Sequence, residues 1–313
     1  MLARTADNLF WMSRYMERID FITKVLLVGF SSTSDYHPSS VNNFEWEILA
    51  KMFFTNQNHF CDDQQAANQV FQKLVVGDEQ NSLKELITKA RENARGVQEH
   101  ISKEVWESIN KKYHKLLKVD VEKIIVKEEQ LNFLFDLFDE NLKYSGVVDG
   151  TNHRGEGWNF MNLGKFCERT VLVLGISEEK YKNPIVFSEE ANNILFWKNF
   201  LLCLSGFELY IKDYRSGDNS RHVLDMIVYN KQFTRSISYS VDRIRNYLTK
   251  IIQENPNPNN NKVTKEIGMM SAKINYSDLD QLVDDGVVHF FQDAKRNLFN
   301  LNQTIGQIFF SYY

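Results

Sequence analysis

Glu17-Arg18 and Glu168-Arg169 are the residues of this chain best placed to do chemistry. The first pair closes the stretch Ser13-Arg14-Tyr15-Met16-Glu17-Arg18, the second Gly164-Lys165-Phe166-Cys167-Glu168-Arg169. Each has a small residue four positions before its Glu. Phe10, Trp11, Met12 and Ile19 surround the first pair; Met161, Leu163, Phe166 and Leu172 surround the second. A carboxylate in such surroundings can serve as a general base, and an arginine can grip a carboxylate or phosphate through two parallel hydrogen bonds. A buried charge needs a partner, and adjacent residues on a helix point apart, so Glu17 cannot pair with Arg18. We therefore expect crossed pairs, Glu17 with Arg169 and Glu168 with Arg18, or the same pairs through a third basic residue. At this stage a register-fixing role and a ligand-binding role both stay open.

Two further groups carry charge in a useful pattern. Arg91 and Arg95 lie four apart and share a helix face, either as a solvated edge or as a basic wall of the same internal site. In Phe233-Thr234-Arg235-Ser236-Ile237, Thr234 or Ser236 can cap the next helix, whose free N–H groups with Arg235 would attract an anion. Several chemistries have no sequence support. There is no Glu-x-x-His, no His-x-x-x-His, no Gly-rich phosphate loop and no Gly-x-Ser-x-Gly. We expect no metal and no cofactor. Cys61, Cys167 and Cys203 match no zinc spacing, and an unframed odd count suits a reducing, cytoplasmic compartment. Cys167 reads as core filler.

The elements that must position these residues read as helices. The chain has 313 residues, enough for two units of about 150. Four prolines favour long helices, and strand signals are thin. A net charge of −4 argues against a nucleic-acid binder. No apolar run reaches the ~18 residues of a membrane span, and the opening lacks a signal-peptide pattern. Residues 5–29 form a first helix, followed by a polar loop at 31–43, helical segments at 44–54 and 67–76, and a capping box from Ser82 to Glu85. Helix resumes through Tyr144. Residues 145–157, rich in glycine, read as the linker, and the second half has helices near 158–175, 189–213, 220–230, 236–253 and 276–310. Asn255–Lys262 reads as an exposed mobile loop.

The halves match in order. Glu17 and Trp46 find Glu168 and Trp197 at a shift of 151; Ser82 and Arg91 find Ser236 and Arg245 at 154. A slowly growing shift is what loop insertions between two copies would produce. The expected fold is all-α, with two tandem, similar helical-bundle units at 1–146 and 147–313.

Together these residues resemble the alpha-E family. The opening Leu2-Ala-Arg-Thr-Ala-Asp7 through Trp11 to Glu17-Arg18 is similar to the family's start. Ala90-Arg-Glu-Asn-Ala-Arg95 with Trp106-Glu-Ser-Ile-Asn110 is similar to its central signature. Gly157-Trp158, Leu163-Gly164 and Glu168-Arg169 resemble the entry of a second copy, and Thr234-Arg-Ser-Ile237 the late Pro-Arg-Ser motif. Thr234 in place of that proline predicts a looser turn. Thr170 and Val171 depart from the small and acidic residues that often follow the second Glu-Arg, which predicts a less polar second site.

The resemblance implies an all-helical protein associated with circularly permuted ATP-grasp ligases, transglutaminase-like proteins and an N-terminal-nucleophile peptidase. The first functional expectation is a non-catalytic binding or scaffold component of a peptide synthesis or modification system, with Arg18, Arg169, Arg91, Arg95, Arg235 and Ser236 as ligand contacts. The alternatives are a ligase or transferase using Glu17 or Glu168 as general base, and a purely structural dimerisation module. Homo-oligomerisation stays open; no nucleic acid or membrane partner is expected.

Overall fold

The computed structural model describes residues 1–34, 44–54, 63–214 and 217–311. Most of the expected polar loop at 31–43, most of the stretch at 55–66, and Cys61 lie outside them. Among the described residues the chain is helical, with no strand. It divides into two compact units, Asn8–Met161 and Met1–Asp7 with Asn162–Tyr313.

The first unit takes most of α1 (Ala3–Ser34), then α2 (Trp46–Phe53), α3 (Asp63–Val76), α4 (Leu83–Arg95), α5 (Lys103–Leu117), α6 (Val121–Val126) and α7 (Gln130–Thr151). Along the chain α2 packs on α3, α3 on α4, α4 on α5 and α5 on α7. Ser82 caps α4 by accepting the N–H of Glu85 at 3.3 Å. The expected box is only half made, because the Ser82 N–H goes to Glu79 O at 3.0 Å. Ser102 caps α5 in the same way, accepting from Val105 N at 3.2 Å. Leu83, Leu86, Ile87, Ala90 and Ala94 form the buried stripe of α4.

The second unit begins within α8 (Glu156–Tyr181) and continues through α9 (Ile194–Cys203), α10 (Phe207–Asp213), α11 (Asn219–Tyr229), α12 (Ile237–Glu254), α13 (Asn260–Asn275), α14 (Leu279–Asp285) and α15 (Val287–Phe309). Here α9 packs on α11, α11 on α12, α12 on α13 and α13 on α15. Ser236 caps α12 by accepting from Tyr239 N at 3.0 Å. Cys167 and Cys203 are both buried.

Aromatic packing anchors the long first helix of each unit. In the first, Phe30 of α1 meets Trp46 of α2 edge-on at 5.2 Å between centroids. In the second, Tyr181 of α8 lies 5.6 Å from Trp197 of α9.

Five segments differ from the expectation. The helix expected at 276–310 is two, α14 and α15, parted at Gly286 with a φ of 100°, and the run from Leu116 to Tyr144 is broken into the end of α5, α6 and α7. The linker at 145–157 is helix up to Thr151, and the next helix starts at Glu156. Gly146 and Gly150 sit where an added Cβ would meet nothing within 4 Å, so glycine there leaves the buried face of α7 intact. The helix ends where Asn152 turns inward and its Oδ1 accepts the N–H of Ser102 at 2.9 Å.

The span 189–213 is broken. A 3-10 turn (Glu189–Asn192) precedes α9, and Ser205, with a φ of 54°, separates α9 from α10.

The loop at 255–262 is short. Helix α13 starts at Asn260, a buried residue whose Nδ2 donates to Asn255 O at 2.8 Å. Val263, Ile267, Met270 and Ile274 then supply a buried stripe at spacings of four and three.

Candidate functional site

Glu17 sits on the buried side of α1, with 6% of its surface exposed. Its neighbour Arg18 is half-buried and turns to another helix boundary, donating from Nη1 to Asn81 Oδ1 at 2.7 Å. Asn81 in turn donates from Nδ2 to Phe53 O at 3.1 Å, tying the end of α2 to the residue just before the α4 cap.

The interior near Glu17 holds a polar cluster. Tyr144 of α7 is one member: burial, and then the charge of Glu17, push its phenol well above the usual tyrosine value. Lys112 of α5 is another. It is 1% exposed, and its Nζ donates to Asn141 Oδ1 on α7. Burial lowers the Lys112 ammonium to about 8, while the carboxylates of Glu140 and Asp20 oppose that shift. Glu140 Oε2 and Asn141 Nδ2 are buried with no hydrogen-bond partner among the described residues. The sequence reading missed Lys112, although the signal was there: it falls on the stripe Val105, Ile109, Lys112, Leu116, at spacings of four and three.

The second pair has a similar plan. Glu168 is fully buried. Arg169 is half-buried and donates from Nη1 to Thr234 O at 3.3 Å, with its guanidinium 5.2 Å from the centroid of Phe166. Phe166 stacks on Tyr247 of α12 at 6.0 Å. The turn that Arg169 reaches is tied down despite lacking proline. Asn230 Oδ1 accepts from the N–H groups of Gln232 and Phe233, at 2.9 and 3.1 Å. Ser236 is buried with its hydroxyl committed to the α12 cap, and Arg235 is half-buried on the same turn.

Arg91 and Arg95 do not join Arg18. The side-chain contacts of Arg91 are all with α5. Its Nε donates to Asn110 Oδ1 at 2.7 Å, and its guanidinium lies 4.5 Å from the ring centroid of Tyr113 and 5.6 Å from that of Trp106. No carboxylate pairs with Arg91 among the described residues. Arg95 is exposed one turn further along α4. In the second unit Arg245 does have a carboxylate: its Nη2 lies 3.2 Å from Asp242.

A family model described as a predicted alpha-helical domain with a conserved ER motif matches residues 1–310. The chain belongs to the Alpha-E family. No curated protein and no solved structure matches it. The Glu-Arg dipeptide occurs twice in this Alpha-E chain, at 17–18 and 168–169, and in each case the Glu is buried and the Arg reaches a turn ahead of a serine-capped helix. Among the described residues, no group of three His, Cys, Asp or Glu side chains could hold a metal ion. No described helix of this Alpha-E protein is long and apolar enough to cross a membrane.

Proposed function

We propose that this Alpha-E protein is a non-catalytic binding component of a peptide synthesis or modification system. On this reading its Arg91 face takes a carboxylate, and an ATP-grasp-type ligase is the working partner. The supporting observation is the state of Arg91. Its guanidinium is fixed by Asn110 and bordered by Trp106 and Tyr113, its outer N–H groups face no described carboxylate, and Arg95 adds a second cation on the same face. A pre-oriented guanidinium loses little freedom on gripping a carboxylate, and flanking rings suit the planar peptide group beside it. The ligase partner, circularly permuted ATP-grasp or transglutaminase-like, rests on the family resemblance alone.

We also read the two units as copies of one ancestor, residues 1–146 and 147–313. Each copy opens on a helix whose buried Glu precedes an Arg. Each Arg reaches the turn before a Ser-capped helix, 63 residues on in one copy and 65 in the other. An aromatic contact joins the first helix of each copy to a tryptophan, Phe30 edge-on to Trp46 in one and Tyr181 tilted against Trp197 in the other.

The enzyme reading gains no support from the positions of its bases. A general base must reach its substrate, and Glu17 and Glu168 are 6% and 0% exposed.

Calorimetric titration with trialanine tests the carboxylate reading. Saturable binding is expected, abolished by Arg91→Lys and by amidation of the peptide C-terminus. Equal binding of the amidated peptide sinks it. Separately, failure of a neighbouring ATP-grasp protein to co-purify in mild salt would remove the ligase partner.

A further inference from the structure

The second unit contains a cavity of about 260 Å³ that no motif in the sequence announced. Tyr181 at the end of α8, Val186 and Phe187 of a 3-10 turn (Pro184–Phe187), and Leu224 of α11 supply its apolar wall. The turn is held by Asn183, whose Oδ1 accepts from Ile185 N at 3.1 Å, and by Pro184 at its first position. It presents Phe187 with 58% of its surface exposed, edge-on to Tyr181 at 6.2 Å. An exposed phenylalanine fixed at a cavity mouth offers an aromatic face to whatever enters.

The polar groups sort into committed and available ones. The Tyr181 hydroxyl donates to Ser220 O at 3.1 Å, and Ser220 Oγ donates to Val186 O at 2.5 Å. Arg221, the lining cation, is ion-paired with Asp280. The Asn192 side-chain amide and two carboxylates remain. Glu189 has no hydrogen bond or ion pair with any described residue. Asp218 uses Oδ1 to cap α11, accepting from Arg221 N at 3.2 Å, and its other oxygen meets no described donor. Asp218 and Tyr181 line the same cavity, so that carboxylate shares it with the aromatic wall.

An apolar throat, an aromatic face and two unanswered carboxylates are the complement of an organic cation. Carbon chain can lie on Val186 and Leu224, while the charged end meets Phe187 and the carboxylates. Sites for drug-sized molecules run to roughly 300–1,000 Å³, so a cavity of about 260 Å³ suits a short flexible chain better than a ring system. An anion would meet like charge at the rim, because Arg221 is already neutralised. We propose that this cavity binds an aliphatic primary ammonium, either a free diamine or the side chain of a lysine. The site shares no residue with the Arg91 face, so either can fail without the other.

The test is calorimetric titration of the full chain with cadaverine and with N-acetyl-lysine N-methylamide. Pentanol and glutarate are the controls, matching the chain without charge and with opposite charge. Saturable binding of cadaverine is expected, with at least a tenfold loss in the double variant Asp218→Asn/Glu189→Gln. Asparagine keeps the α11 cap, and an unchanged unfolding temperature verifies the fold of the variant. Binding of the blocked lysine as well would assign the site to a lysine side chain; cadaverine alone would assign it to a free diamine. The proposal is overturned by no saturable binding of either amine, by equal binding of pentanol or glutarate, or by undiminished binding to the double variant.

Discussion

Arg18 donates to Asn81 at 2.7 Å, and Asn81 donates onward to the last carbonyl of α2, that of Phe53. One amide therefore joins the family's charged motif to the boundary between two other helices. Replacing it with alanine strips a hydrogen bond from a half-buried cation. Asn81→Ala is expected to lower stability by about 1.5–3 kcal/mol in urea unfolding, the usual range for a bond to a charged group. A loss under about 0.5 kcal/mol, typical of an ordinary surface change, would mean that Arg18 finds an equal partner elsewhere.

The two serine caps offer a paired measurement. Ser82→Ala and Ser236→Ala should each cost about 1 kcal/mol, and Ser→Asn at either site should recover most of it, since asparagine caps as well as serine. Both hydroxyls accept the N–H three residues on, so the two losses should be similar. A loss confined to one site would show that the caps are not equivalent.

Gly29 gives a prediction opposite in sign to helix propensity. Alanine in a helix interior is ordinarily better than glycine by about 1 kcal/mol. Here an added Cβ would stand 2.5 Å from Trp46 Cη2 and 2.9 Å from Phe44 Cε1. Overpacking of this kind costs about 1–3 kcal/mol, so Gly29→Ala should melt at a lower temperature. The near-UV dichroism of Trp46 should change with it. A higher melting temperature would refute the close approach of α1 and α2.

Lys112 predicts a pH dependence with a definite sign. Its ammonium is held at about 8 in the folded chain against 10.5 in the unfolded one. Between those values the unfolded chain binds a proton that the folded chain does not, so this residue makes stability rise with pH across that window. Below pH 8 the penalty is constant, on the order of 3 kcal/mol. Lys112→Met should therefore be more stable than the parent at pH 7, with the advantage shrinking towards pH 10.5. Tyr181, in the other unit, contributes equally to both proteins and cancels in the difference; Tyr144, with its ring centroid 5.7 Å from Lys112 Nζ, need not, so the difference is read between pH 7 and about 10, before phenols titrate. A pH-independent gap between variant and parent would disprove the assignment to Lys112.

What could be read from the sequence was local. Ser82 announced its helix because a hydroxyl before an apolar stripe has one favourable use, whereas Thr234 and Ser236 were equal candidates for the next cap until the structure gave it to Ser236. The burial of Glu17 and Glu168 followed from apolar neighbours on every side. The glycines at 146 and 150 misled, because a glycine penalty of about 1 kcal/mol each is small beside the packing of one helix face, and no local rule reports that packing. Helix α13 was hidden by its asparagine-rich start, although the spacing of Val263, Ile267, Met270 and Ile274 carried it. The Arg91 arrangement needed α4 and α5 side by side: Trp106, Asn110 and Tyr113 lie 15, 19 and 22 positions along the chain from Arg91. The cavity near Phe187 gathers residues from α8, a 3-10 turn, α11 and α14, a juxtaposition that no single-chain pattern encodes.

Cys167 and Cys203 lie wholly inside the second unit, where a thiol reagent in solution cannot reach them. Each sulfur thus acts as a clock set into a different helix, α8 or α9. Its labelling rate counts how often that helix exposes its inner face, and mass spectrometry of the two peptides would time both openings in one sample, with no engineered probe.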